Sequence, residues 1–220
     1  MNARDVIKVR LSKTKNLITT SLRYACYYAR EIFKGRWPKF KEVVAVVTQD
    51  AEYACEYAKD IIKGRWLEVE KVIAKDAFHA YLYAKNVIKG RWPEGEEVIA
   101  TDAEWAYYYA INFIKGRWNE AEKVIATDAS HAYLYARYVI EGRFQEGEAV
   151  IAKDTQHAYH YAVNVIKGRW PEGETAIAKD ARYASWYAEH IIKGRWPEKA
   201  ISTFKRPIEF SSFLNWKRAK

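Results

Sequence analysis

A chain of 220 residues with 50% apolar and 15% aromatic side chains is not a disordered polymer, and two cysteines, Cys26 and Cys55, are too few for a disulfide scaffold. The net charge of +9 points towards nucleic acid, but its location weakens that reading. Residues 1–49 hold 11 Lys and Arg against 3 Asp and Glu, residues 197–220 hold 6 against 2, and residues 50–196 hold 20 against 23. No apolar run approaches the roughly 20 residues of a membrane span, and the first five residues lack the apolar stretch of a secretory signal. The expectation is an intracellular, cytoplasmic protein without a membrane partner.

Residues 1–20 form a basic lead-in whose stretch 5–19 is predicted to be a capping helix. Ser21 then suits the N-cap of a helix over Leu22–Lys34. From here a repeat takes over. Gly-Arg-Trp starts at Gly35, Gly64, Gly90, Gly116, Gly168 and Gly194, and Gly142-Arg143-Phe144 fills the gap. An Asp recurs in step at 50, 76, 102, 128, 154 and 180, so the period is 26 residues after one longer first unit. The extra residues of that unit fall in Val43–Gln49.

The unit from Asp102 shows the logic. Asp102 is an N-cap, and Ala103 to Lys115 reads as a long helix, B. Gly116 is expected to supply the left-handed residue that ends it. After Arg117 and Trp118 a short helix, A, runs from about Asn119 to Ala126. Sister units place Pro93, Pro171 and Pro197 at its first position, where a missing N–H is tolerated. Ala106 and Ala110 allow close helix approach, and Tyr109 and Phe113 fill the flanking space. Neither helix buries its apolar stripe alone, so units must stack. The fold is therefore all-α, an α-solenoid of about seven two-helix units over residues 21–200, closed by a C-terminal cap at 201–220 containing Phe210, Phe213, Leu214 and Trp216.

The line from Gly90 to Ala100, followed by Thr101 to Ala110, resembles uncharacterised tandem helical-repeat proteins of bacteriophages and large DNA viruses. The resemblance implies a helical array of phage or viral origin, located in host cytoplasm, and carries no activity or ligand.

Positions held constant have architectural explanations. Arg65, Arg91, Arg117, Arg143 and Arg169 are candidates for a phosphate-binding edge. The competing reading pairs them with Glu68, Glu94, Glu120, Glu146 and Glu172, or bonds them to the carbonyls at helix C-termini. The Trp series reads as filler between helices. Variation concentrates on helix B at three series of positions. Three residues past the Asp stand Tyr53, His79, Trp105, His131, His157 and Tyr183. Six past it stand Glu56, Leu82, Tyr108, Leu134, His160 and Trp186, and ten past it Asp60, Asn86, Asn112, Tyr138, Asn164 and His190. Steps of three and four put them on one stripe, aromatic, polar and changeable, as suits a binding face. The alternative for the first series is packing against the next unit.

His157, His160 and His131 are close enough in this register to raise a metal site, but no Cys or paired carboxylate completes one. No nucleophile elbow, zinc-protease motif or phosphate loop is present. The expectation is a protein that is not an enzyme, has no cofactor and binds no metal. It uses the helix-B stripe on a protein partner. The alternatives are single-stranded RNA or DNA, with basic ends anchoring the backbone, and a purely structural scaffold. The ends are also candidate surfaces for oligomerisation.

Overall fold

The computed structural model describes residues 48–193. The predicted N-terminal cap, the helix over Leu22–Lys34, Cys26, Arg36, Arg195, Pro197 and the C-terminal cap lie outside the described residues. The chain divides into two compact units, Met1–Thr101 and Asp102–Lys220.

Among the described residues the architecture is all-helical, a solenoid of repeated helix pairs. In the first unit α1 (Ala51–Tyr57), α2 (Leu67–Ile73), α3 (Ala77–Tyr83) and α4 (Pro93–Ile99) follow one another. The second unit holds α5 (Ala103–Tyr109), α6 (Asn119–Ile125), α7 (Ala129–Tyr135), α8 (Gln145–Ile151), α9 (Thr155–Tyr161), α10 (Pro171–Ile177) and α11 (Ala181–Tyr187). Odd numbers are the B helices and even numbers the A helices. Within each unit a B helix packs on the A helix that follows it and on the next B helix.

Each B helix starts as the sequence predicts. The Asp102 carboxylate accepts from the backbone N–H of Glu104 and Trp105, and Asp50 and Asp180 do the same in their repeats. Asp76, Asp128 and Asp154 accept from the N–H of the following histidine at position three. Pro93 and Pro171 occupy the first turn of α4 and α10.

The ends of the B helices differ from expectation. Each passes from α-helix into one π-helical turn, such as Ala58–Ile62 and Ala110–Ile114. The left-handed residue is not the glycine but the residue before it: Lys63, Lys89, Lys115, Glu141, Lys167 and Lys193 all have φ between 52° and 58°. Widening the last turn by one residue moves the cap by one position. The Ala58 carbonyl then accepts from both Lys63 and Gly64, which places the glycine second after the helix, outside the left-handed region. A Cβ at Gly64, Gly90 or Gly116 would meet no atom within 4 Å, so neither φ nor crowding accounts for this glycine.

A different glycine has a steric reason. Gly95, Gly147 and Gly173 lie under the ring of Trp92, Phe144 or Trp170, where a Cβ would come within 2.3–2.6 Å of the ring. Val69 and Ala121 stand at the matching place below Trp66 and Trp118. There the Trp lies about 42° to the preceding Tyr ring, against 59° and 50° for Trp92 and Trp170.

The core runs along the repeats as foreseen. Ala54, Ala80, Ala106, Ala132 and Ala158 are fully buried, as are Tyr83, Tyr109, Tyr135 and Tyr161, and Ile73, Ile99, Ile125, Ile151 and Ile177. Small residues bring the axes together and the rings fill the remaining volume.

Candidate functional site

The fixed Arg, Glu, Tyr and Trp positions form one hydrogen-bonded motif. Arg117 Nε and Nη2 donate to the two carboxylate oxygens of Glu122 at 2.8 and 2.7 Å. Tyr135, on the next B helix, donates from its hydroxyl to Glu122 Oε1 at 3.0 Å and accepts from the Trp118 backbone N–H at 2.6 Å. The same set recurs as Arg65, Glu70, Tyr83 and Trp66, as Arg143, Glu148, Tyr161 and Phe144, and as Arg169, Glu174, Tyr187 and Trp170. Arg91 is likewise bidentate to Glu96.

The partner glutamates are therefore five residues after each arginine, not three. All five glutamates of the other series, Glu68, Glu94, Glu120, Glu146 and Glu172, are exposed. Glu94 accepts from Arg65 one repeat back at 2.6 Å, and Glu146 and Glu172 act on Arg117 and Arg143 through their charge without a direct hydrogen bond. The physical reason is helix geometry. The exposed series lies on the solvent side of helix A, whereas the acid two residues on faces the following B helix and finds its tyrosine. Each candidate phosphate arginine thus spends its planar fork on a carboxylate.

Arg143 and Tyr161 hold the Glu148 carboxyl below its ordinary value of 4.5, against the opposing effect of burial. A carboxylate with a lowered folded pKa stabilises the protein above its unfolded pKa, and that contribution is lost as pH falls through the folded value. The urea midpoint is expected to be level between about pH 7 and 5 and to drop below about pH 4.5, less steeply in Glu148→Gln than in the parent.

The varied stripe occupies the other side of the B helices. In the second unit its rings join a series that the sequence reading passed over, five residues past the Asp. Tyr107 contacts Tyr108 and His131, at centroid distances of 5.2 and 6.0 Å. Tyr133 contacts His157 and stacks on His160, both at 6.0 Å. Tyr159 contacts His160, Tyr183 and Trp186 at 5.3, 5.4 and 6.0 Å. Trp105 lies against Tyr108, and Tyr183 meets Trp186 edge-on. Tyr107, Tyr133 and Tyr159 are buried, and Tyr108, Tyr138 and Trp186 rise from them, 37%, 48% and 44% exposed.

Polar groups thread the same surface. Arg137 donates to the Tyr133 hydroxyl at 2.6 Å and lies over the Tyr138 ring at 5.0 Å. Asn164 donates to that same hydroxyl at 2.9 Å, and Asn112 donates to the Tyr108 carbonyl. The series at position three is half-buried, with Nδ1 of His131 and His157 held by the helix-capping Asp128 and Asp154 at 2.8 Å. Burial, His157 and Arg137 keep His160 below its ordinary pKa of 6.5.

In the first unit the same face opens into a cavity. Tyr53 is half-buried, and His79, held by Asp76 at 2.6 Å, lines the cavity together with Leu82 and Asn86. Cys55, a free and buried thiol, stands here in the position-five series. The signal that could have found that series was present in the sequence: it reads Cys55, Tyr81, Tyr107, Tyr133, Tyr159, Ser185 and breaks at both ends.

Among the described residues no helix is long and apolar enough to cross a membrane. Comparison of the chain with protein-family models, with curated proteins and with solved structures finds no match.

Proposed function

We propose that the chain is a non-catalytic binding scaffold whose B-helix face takes a protein partner. One observation carries the reading: residues that recur unchanged satisfy one another in the Arg–Glu–Tyr motif, while those that vary gather into the aromatic surface around Tyr108, Tyr138 and Trp186. Aromatic side chains flanked by Arg and Asn are the composition of interface hot spots, where large rigid rings are buried at little entropic cost. Crosslinking capture followed by identification of bound protein tests it; absence of any protein partner with the face intact counts against it.

A second reading, single-stranded nucleic acid, draws on the same rings, because bases stack on Tyr, His and Trp. The near balance of charge over residues 50–196 and the carboxylate-engaged arginines favour the protein reading. Binding to random single-stranded RNA across a salt series separates the two. Phosphate contacts produce a steep loss of affinity with salt, and the expected result is weak binding at physiological salt.

A further inference from the structure

Cys55, Lys59, His79, Leu82 and Asn86 line a cavity of about 400 Å³ in the first unit. Its origin is visible in the second unit. Cys55 occupies the register position that Tyr133 holds three repeats later in sequence, five residues past the Asp. Around Tyr133, His157 contacts the ring, His160 stacks on it, and Arg137 and Asn164 donate to its hydroxyl. The equivalent positions around Cys55 are His79, Leu82, Lys59 and Asn86, and all four line the cavity. The first unit therefore keeps an imidazole, a ring-sized apolar wall, a cation and an amide donor, and lacks only the phenol they would surround.

We propose that this cavity is a binding site for a phenol ring supplied by a ligand. The ring would lie between His79 and Leu82, with its hydroxyl accepting from Lys59 and Asn86. Neither of those two donors has a hydrogen bond among the described residues. Space is ample, since a cavity of about 150 Å³ already takes benzene. Burial pushes the Cys55 thiol up to about 11, so at neutral pH it is an uncharged, small floor to the site and not a nucleophile. The phenol belongs either to a free small molecule or to a tyrosine side chain of a polypeptide.

The full chain titrated with p-cresol, followed by NMR of the cavity residues, tests the site. Saturable binding with a dissociation constant on the order of millimolar is expected, with toluene about tenfold weaker for want of the hydroxyl. Asn86→Ala weakens p-cresol about fivefold and leaves toluene unchanged. Cys55→Tyr, which fills the space from within, abolishes both. N-acetyltyrosinamide binding tighter than p-cresol assigns the phenol to a polypeptide; equal or weaker binding assigns it to a free molecule. No saturable shift with p-cresol, equal affinity for toluene, or undiminished binding by a folded Cys55→Tyr overturns the proposal.

Discussion

Replacing Trp170 by alanine is expected to destabilise the second unit by about 3–5 kcal/mol. The indole is 1% exposed, packs on Tyr161 at 4.8 Å, and fills the space that Gly173 leaves open beneath it. Closing the hole would require the A helix to shift towards the B helix that precedes it. The chain carries its own control: Phe144 occupies the equivalent position one repeat earlier and is fully buried. Trp170→Phe therefore loses some area but also removes an indole N–H that is buried without a hydrogen-bond partner among the described residues. Those effects oppose, and the phenylalanine variant is expected within about 1 kcal/mol of the parent. Urea unfolding of both variants, with hydrogen exchange to locate the loss, is the measurement. Hydrogen exchange matters because a repeat array need not unfold in one step.

Tyr161→Phe and Tyr159→Phe remove the same atom two residues apart and are expected to differ widely. The Tyr161 hydroxyl accepts from the Phe144 N–H at 2.9 Å and donates to Glu148 at 2.8 Å. Its loss leaves a buried backbone donor without an acceptor and removes one of the groups that hold the Glu148 charge. The cost is about 1–3 kcal/mol, and Glu148 titrates closer to its ordinary value. The Tyr159 hydroxyl, on the aromatic face, makes no hydrogen bond among the described residues, so its removal stays within about 0.5 kcal/mol. Comparable losses from the two variants would mean that the division into scaffold and face is wrong.

The fold was legible because its signals are local and repeated. The capping Asp, the Pro at N1 and the buried alanines each act within a few residues, and the 26-residue period multiplies each signal. What escaped depends on backbone register and on contacts across repeats. The π-helical turn carries no side-chain signature, so Gly116 was expected to be left-handed where Lys115 is. Glu120 and Glu122 are indistinguishable as acids near Arg117, and only the position of Tyr135, a repeat away, selects Glu122. On the varied face, the stripe through His157, His160, Tyr183 and Trp186 was readable from variation alone. The buried rings of Tyr133 and Tyr159 that carry it were not, because tyrosines at positions five and seven look alike until one is seen to bond Glu and the other to stack.

The central claim is that recognition belongs to the varied B-helix face and not to the arginine edge. Its most direct test is the affinity of a captured protein partner for two variants, Tyr108→Ser/Tyr138→Ser/Trp186→Ser and Arg117→Gln/Arg143→Gln/Arg169→Gln, each checked for folding by circular dichroism. The account predicts that the aromatic variant loses about a hundredfold or more in affinity, and that the arginine variant, though less stable, binds as the parent does. Full affinity in the aromatic variant, with the loss confined to the arginine variant, would contradict it.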